Sequence, residues 1–314
     1  MKDILSLPLD ASVHGTKIDG MIVILHWLMA VLFVVWGLYF VYALVRFRSS
    51  KNPKADYVGV KTHASSYLEV AVALFEGVLL IGFAIPVWSE VVAALPEEKD
   101  AVVVYVVAEQ FAWNIHYPGA DGLFGRRDIG LVTADNPLGL DREDPAAKDD
   151  ITTINQLNLP VNKNILVYLT SKDVIHSFGI PLLRVKHDVI PGQRIPLSFK
   201  ATMTNDEVRE KTARIFSLSG DSLSFELNGR LAYKDYHTSD GNPIVAKGDL
   251  ITEEIFQQLK LAGVTEILAT QDTPMEIACA QLCGLGHYRM RGTVTIMTDE
   301  AYQGWLAEEA SYLE

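Results

Sequence analysis

The sequence predicts a membrane-anchored protein in which a hairpin of two hydrophobic helices precedes an all-β domain that carries a small α/β insertion. Residues 21–45 contain no Asp, Glu, Lys or Arg, and the second apolar stretch, residues 67–92, is interrupted by Glu69 and Glu76. Each stretch is long enough to cross a bilayer, because a helix rises about 1.5 Å per residue and the hydrocarbon layer is about 30 Å thick. From residue 101 the pattern changes to short β-branched runs bounded by turn residues, which are typical of strands.

The loop between the two spans predicts the orientation of the hairpin. Its basic residues are Arg46, Arg48, Lys51, Lys54 and Lys61. Because positively charged loops stay in the cytoplasm, both termini and the C-terminal domain are expected on the periplasmic side of a bacterial inner membrane. Residues 1–20 contain no convincing signal peptide. The predicted divisions are an N-terminal periplasmic segment at 1–20, the hairpin at 21–95, and a periplasmic domain at 96–314 with an insertion at about 204–273 and a final helix at about 299–313.

The charge of the chain is strongly acidic and unevenly distributed. The sequence holds 27 Lys and Arg against 39 Asp and Glu, and residues 1–95 contain seven of each sign. The whole excess of 12 negative charges therefore lies in residues 96–314. An acidic domain argues against nucleic acid as a partner and suits the attraction of a basic protein, although a merely soluble surface has the same composition.

The strand predictions rest on short apolar segments within this acidic part. They are Ala101–Val107, Asn155–Leu159, Ile165–Ser171, Gln193–Met203 and Arg291–Met297. Residues 119–150 are rich in Gly, Asp and Pro and are predicted to be loop. A helix is predicted at Thr252–Leu261, because Thr252 can cap its first turn and two acids follow.

The segment from Cys279 to Met290 is the main candidate for chemistry. It contains the only two cysteines of the chain, Cys279 and Cys283, followed by His287 and Met290. Thiolate, imidazole and thioether are donors that copper prefers to oxygen ligands. The two cysteines taken alone favour a structural disulfide, as is usual outside the membrane.

A second block about a hundred residues upstream, Val174–Pro181, contains His176. Together the two blocks resemble subunit II of the haem-copper oxidases (cytochrome c oxidases), whose copper loop reads C-x-E-x-C-G-x-x-H-x-x-M. This resemblance implies a cupredoxin-like Greek-key domain with a dinuclear copper centre (CuA) rather than a disulfide. Cys279 and Cys283 would bridge the two copper ions. The other ligands it implies are His176, His287, Met290 and the backbone carbonyl of Gln281.

The resemblance also assigns roles around the copper loop. Phe111 and Trp113 stand where relatives have an aromatic Q-W-x-W cluster for electron input, with Phe111 replacing the first Trp. Asp188, in a K-x-D-x-x-P-G block, is a candidate acceptor that orients the copper loop or assists docking of subunit I. Glu69 stands where relatives have a glutamate near a proton-conducting path, and a helix-capping carboxylate is the alternative. Gln281 replaces a family Glu that helps to hold magnesium, so that metal is doubtful.

No chemical role is expected for the remaining acidic and histidine side chains. Glu76 lies seven residues after Glu69 and is expected on the same face of the helix. His187 is expected to be a surface or interface residue, because the ligand set is already complete. His26, His63 and His237 are expected to be structural. The insertion weakly resembles a small β–helix module of the large subunit of bacterial RNA polymerase, which indicates a docking module or a passive insertion.

The function implied by the resemblance is that of an electron-accepting subunit without catalytic residues of its own. Electrons would come from cytochrome c or an alternative periplasmic donor complex. They would pass to haem in subunit I, where oxygen is reduced with proton translocation. The expected partners are subunit I, the other oxidase subunits and membrane lipids. Two alternatives stay open, the corresponding subunit of a nitric oxide reductase and a membrane-tethered copper-binding protein.

Overall fold

The chain forms two compact units, one built from the N-terminal helices and one from the β-rich remainder. The computed structural model describes residues 2–54, 57–59, 61–92, 95–220 and 222–313. The first unit consists of Met1–Leu7 and His14–Ala94, and the second of Pro8–Val13 and Leu95–Glu314. Residues 93 and 94, at the predicted end of the hairpin, lie outside the described residues.

The first unit contains two helices long and apolar enough to cross a membrane. After a short turn, α1 (Lys2–Leu5), helix α2 runs from Gly15 to Arg46 and begins six residues before the predicted span. The second helix begins as α3 (Ala64–Leu79), passes through a π-helical turn at Leu80–Ala84 and continues as α4 (Ile85–Val92). The π turn precedes Pro86, whose missing N–H cannot complete the normal helical ladder.

The second unit is built on a sandwich of two five-stranded sheets. In sheet order, the first contains β3 (Ile151–Ile154), β2 (Ala112–Tyr117), β1 (Val102–Glu109), β5 (Ile165–Ser171) and β8 (Ile195–Phe199). The second contains β4 (Gln156–Pro160), β15 (Arg291–Met297), β14 (Glu276–Cys279), β6 (His176–Ile180) and β7 (Val185–Val189). Each sheet has one parallel pair, β1 with β5 and β4 with β15, and its other pairs are antiparallel.

The sandwich is held by apolar side chains that alternate along the strands. On β1, Val104 and Val106 face the core and are fully buried, whereas Tyr105 between them faces the other side of the sheet. A strand buried on one face has this period of two, so the short β-branched runs did predict strands here. The predicted bounds of Ile165–Ser171 and Arg291–Met297 are confirmed.

A small α/β module is inserted between β8 and β14. It contains a three-stranded sheet, β9 (Arg214–Ser217), β10 (Arg230–Ala232) and β13 (Glu266–Gln271), and a two-stranded one, β11 (Tyr236–His237) and β12 (Pro243–Val245). Helix α6 (Glu253–Leu261) packs Phe256 and Leu259 into a separate hydrophobic core. As predicted, Thr252 caps this helix, accepting a bond from the N–H of Ile255.

The helix that opens the insertion belongs instead to the main sandwich. Helix α5 (Asn205–Thr212) places Val208 in the main core. The buried side chain of Asn205 donates to the carbonyl of Val294 and accepts from the N–H of Ile296, each at 2.9 Å. This helix therefore connects the module to β15, the strand that follows the segment from Cys279 to Met290, which is called the copper loop below.

The loop at 119–150 and the C-terminal helix complete the domain. The loop contains two short 3-10 turns and one isolated β-bridge between Arg127 and Leu140, and is otherwise irregular, as its composition predicts. Helix α7 (Asp299–Ser311) packs Trp305 edge-on against Tyr117 of β2, with the ring centres 5.0 Å apart.

Candidate metal centre

Two neighbouring strands bring His176 and Cys279 together although 103 residues separate them. His176 opens β6, and Cys279 ends β14, which is antiparallel to β6 with Cys279 opposite Phe178. The N–H of Ala280 continues this pairing by donating to the carbonyl of Ser177 at 3.0 Å. The sheet register therefore fixes the distance between the first histidine and the first cysteine.

The other donors lie on the connection between β14 and β15. Gly284 has φ of +135°, a conformation that a residue with a Cβ rarely adopts. A 3-10 turn at His287–Arg289 then returns the chain, and the N–H of Cys279 donates to the carbonyl of Met290 at 3.3 Å. The loop is closed at its base, and the donor side chains of His287 and Met290 lie within contact distance of that of Cys283.

The distances between the predicted donors fall within a narrow range. Cys279 Sγ lies 3.8 Å from Cys283 Sγ and 3.9 Å from His176 Nδ1. Cys283 Sγ lies 3.5 Å from His287 Nδ1 and 3.7 Å from Met290 Sδ. The carbonyl oxygen of Gln281 lies 3.2 Å from Cys279 Sγ. All six predicted donor groups are thus in one contact network around the two sulfurs.

These separations suit a metal ion better than a disulfide. Two donors bound to one tetrahedral ion, with bonds of about 2.0–2.3 Å, lie roughly 3.4–3.8 Å apart. A disulfide requires a sulfur–sulfur bond of about 2.05 Å, whereas both cysteines are free thiols. The donor set is soft, and its five side chains exceed the four ligands of a closed zinc site, which together favour copper.

Burial raises the pKa of the inner thiol of the site, Cys283. Cys283 is only 4% exposed, while Cys279 is half-buried. Burial, followed by the hydrogen bond and charge of Cys279, raises the pKa of Cys283 to about 11. Without a metal ion this thiol therefore keeps its proton at neutral pH, and metal binding must displace it.

Asp173 holds the far side of the His176 ring. Its Oδ1 accepts from His176 Nε2 at 2.9 Å and from the N–H of Val174 at 2.6 Å, and its Oδ2 accepts from the N–H of Gln110 at 2.6 Å. Burial acts to raise the pKa of Asp173, but these bonds outweigh it and lower the pKa. A negatively charged acceptor on Nε2 fixes the ring so that Nδ1 faces the sulfurs.

The acceptor on the His176 ring is Asp173, and the prediction that Asp188 orients the copper loop or assists docking of subunit I stays a prediction. Asp188 is exposed on β7, opposite Ser177, while Asp173 makes the bond to the ring. Asp173 was missed, although an acid three residues before the ligand is the signal that could have found it. His187 lies on β7 with its ring bonded to the Asp188 carbonyl and outside the donor network, as expected.

The two aromatic candidates for electron input differ sharply in accessibility. Trp113 is fully buried, edge-on to Phe178 and 6.2 Å from the His176 ring. Phe111 is half-buried and covers the copper loop so closely that a Cβ on Gly286 would lie 2.4 Å from its ring. Gln110 reinforces this cover by donating from Nε2 to the carbonyl of Cys283. Trp113 can therefore contact no docked protein directly, whereas Phe111 lies at the boundary between the site and solvent.

The remaining candidates are all exposed. Glu69 and Glu76 are exposed on α3 of the first unit. Gln281 is exposed. The outer face of the copper loop is apolar, because Leu282, Leu285 and Tyr288 are 78%, 98% and 79% exposed. Exposed apolar side chains clustered around a site indicate contact with another protein.

Comparison with known proteins connects this geometry to one family. Residues 102–207 match the profile of the periplasmic domain of cytochrome c oxidase subunit II. The matched range includes His176 but ends before the copper loop, because the inserted module intervenes. In the folded chain, the possible ligand atoms of Cys279, Cys283 and His176 all lie within 4.8 Å of one another.

Two curated relatives extend the likeness over more of the chain. The alternative cytochrome c oxidase subunit 2 of Bradyrhizobium diazoefficiens is 24% identical over 296 residues, which cover 94% of this chain and 81% of the relative. The cytochrome c oxidase subunit 2 of Cereibacter sphaeroides is 29% identical over 206 residues, which cover 62% of this chain and 64% of the relative.

Among solved structures, the periplasmic domain of subunit II of cytochrome oxidase from Bradyrhizobium japonicum has 19% identity and a TM-score of 0.35, covering 70% of this chain and all but 1% of that domain. The family profile and the two-sheet topology confirm the predicted fold class, in which two apolar helices precede a cupredoxin-like domain. Over residues 102–207 the chain therefore matches the cytochrome c oxidase subunit II family.

Proposed function

We propose that this chain is the electron-accepting subunit of a membrane terminal oxidase. It would receive electrons from a periplasmic donor, cytochrome c or a donor complex, and deliver them to haem in a partner subunit that reduces oxygen. The observation that carries the proposal is the convergence of two thiols, two imidazoles, a thioether and a carbonyl within contact distance. That donor set suits copper, and Cys279, Cys283, His176, His287, Met290 and the Gln281 carbonyl would hold the metal.

The protein contributes a rigid and largely dry set of ligands. When bound, the copper pair supplies a one-electron redox couple shared by two metals and two sulfurs. His176 is fully buried and Met290 is 1% exposed, so water has little access to that side of the site. The strand register and the Asp173 bond hold His176, and the closed loop base holds Met290. Ligands that do not move on a change of oxidation state keep the cost of electron transfer low.

The positions of Phe111 and the copper loop support contact with protein partners at this end of the sandwich. Phe111 lies between the loop and solvent, and three exposed apolar side chains surround the loop. The acidic excess of residues 96–314 suits a basic donor. We assign Glu69 to a proton path only as part of this proposal. The same holds for the periplasmic location of both termini, which follows from the basic loop between the helices.

The proposal is tested by loading the full chain, purified in a neutral detergent, with copper. Metal analysis should give two copper ions per chain, and the electron paramagnetic resonance spectrum should show hyperfine splitting from two equivalent copper nuclei. Cys279→Ser should abolish this spectrum, since one bridging sulfur is lost. His287→Ala should alter it, and His187→Ala is the matched control, because His187 lies outside the donor network.

One copper ion per chain, or an unchanged spectrum in Cys279→Ser, would contradict the dinuclear centre. The complex should then be purified with its partner subunits and supplied with cytochrome c. Consumption of oxygen supports the proposed reaction. Consumption of nitric oxide alone would show instead that the chain is a subunit of a nitric oxide reductase. Prompt loss of copper to a mild chelator would favour a copper-binding protein without electron transfer.

A further inference from the structure

Two arginines lie against a stacked pair of tyrosines on the face of the first sheet that points away from the core. Tyr105 of β1 and Tyr168 of β5 stand side by side in the parallel register, and their rings stack with centres 5.2 Å apart. The Arg127 guanidinium lies 4.5 Å from the centre of the Tyr105 ring. The Arg194 guanidinium lies 3.6 Å from the Tyr168 ring and 5.2 Å from the Tyr105 ring.

The positive charge of this cluster is only partly balanced. Arg194 pairs with Glu98 at 3.1 Å, and Glu98 also accepts from the Tyr168 hydroxyl at 2.6 Å. Arg127 has no carboxylate within ion-pair distance among the residues that the structure describes. The nearby buried Asp150 is already bonded to His116 at 2.6 Å. Among the described residues, the two guanidinium groups therefore have a single carboxylate at ion-pair distance, that of Glu98, which pairs with Arg194.

The two arginines also repel one another. Burial lowers the pKa of Arg127, and the like charge of Arg194 adds to this effect, while the charges of Tyr105 and Asp150 act in the opposite direction. A surface cavity lies between them and is lined by Tyr105, Arg127, Tyr168, Thr170, Gln193 and Arg194. Aromatic rings hold guanidinium groups by their faces, which leaves the N–H edges available to an anion. An anion in the cavity would relieve the repulsion.

The position of Glu98 in the chain indicates where that anion comes from. Glu98 follows the last residue of α4, Val92, by only six residues. Six residues span at most roughly 20 Å, so the Glu98–Arg194 pair is tethered within reach of the membrane surface. The most abundant anions there are the phosphates of lipid headgroups, which the planar fork of arginine binds with two parallel hydrogen bonds.

We propose that the cavity between Arg127 and Arg194 binds the phosphate of an anionic phospholipid headgroup. The two guanidinium groups hold the phosphate oxygens, and the stacked tyrosines keep both side chains in place. The site is independent of the metal centre, because none of its lining residues contacts a metal ligand.

The test uses the full chain in a neutral detergent and soluble short-chain lipids. Binding of dihexanoyl phosphatidylglycerol is measured by titration calorimetry, alongside dihexanoyl phosphatidylcholine and inorganic phosphate. The anionic lipid should bind saturably at one site and more tightly than either of the other two. Arg127→Gln and Arg194→Gln should each weaken it about fivefold, since each basic residue near a lipid phosphate contributes on the order of that factor.

Arg126→Gln is the matched control, because Arg126 is the neighbouring arginine but pairs with Asp141 outside the cavity. Arg127→Lys keeps the charge and loses the planar fork, so an intermediate affinity is expected even if the glutamine variant folds poorly. Equal binding by all variants would overturn the site. Inorganic phosphate or phosphatidylcholine binding as tightly as phosphatidylglycerol would overturn its assignment to an anionic lipid.

Discussion

Replacing Asp173 with asparagine tests whether the residue behind His176 governs the metal centre. The substitution preserves shape but removes the charge and turns one acceptor oxygen into a donor. The new amide NH2 group faces either His176 Nε2 or the N–H of Gln110, which both donate to the wild-type carboxylate. One of the two bonds must be lost, so either the ring of His176 or the cover formed by Gln110 and Phe111 is released.

The size of the effect follows from the environment of the carboxylate. Loss of a partner behind a metal-binding histidine lowers metal affinity about 10- to 100-fold. The Asp173 side chain is 31% exposed, so water can replace part of what is lost. We therefore expect the low end of that range, about a tenfold weaker binding of copper, equivalent to about 1.4 kcal/mol.

The assay is competition for copper between the full chain and a chelator of known affinity, with the resonance spectrum recorded at saturation. Asp188→Asn is the matched control, because Asp188 is exposed and makes no bond to His176. A urea titration of each metal-free variant separates loss of folding from loss of affinity. The reasoning is refuted if Asp173→Asn binds copper as tightly as the parent while Asp188→Asn loses about tenfold.

Three further substitutions probe packing, the attachment of the module and protonation. Gly286→Ala should lower the free energy of unfolding by about 1–3 kcal/mol, because its Cβ would lie 2.4 Å from the Phe111 ring. Asn205→Ala should lower the free energy of unfolding by about 2–3 kcal/mol, measured by urea titration. The substitution leaves the Val294 carbonyl and the Ile296 N–H of β15 without their hydrogen-bond partner. The metal-free protein should lose stability between about pH 9 and pH 11. The raised pKa of Cys283 keeps a proton in the folded state that the unfolded chain releases above its ordinary 9.0. Cys283→Ala should remove that loss.

Matched controls distinguish these effects from general damage. Gly304→Ala should not destabilise, since a Cβ at this position of α7 meets nothing within 4 Å. Asn242→Ala removes an exposed asparagine of the inserted module and should leave the urea midpoint unchanged. A metal-free Cys283→Ala variant with the same alkaline loss as the parent would show that another group is responsible. A Gly286→Ala variant as stable as the parent would show that Phe111 can move aside at no cost.

Much of the architecture could be predicted because each element has a local cause. The absence of charge over residues 21–45 predicts a membrane helix from composition alone. The β-branched alternation of Ile165–Ser171 predicts a strand with its correct bounds. Helix α5 was missed, because its only buried apolar side chain, Val208, gives no periodic pattern to read.

The sequence by itself predicted the donors at the candidate centre, through the resemblance of two separated blocks to a known family and through the preference of copper for sulfur and imidazole ligands. It could not determine which acid supports His176 or which aromatic residue remains accessible. Those depend on strand register and on the loop that closes over the site, which place Asp173 behind the ring and bury Trp113 completely. Contacts between residues distant in the chain arise only when both sheets are assembled. The arginine–tyrosine cluster, built from β1, β5 and two separate loops, therefore emerges from the tertiary structure alone.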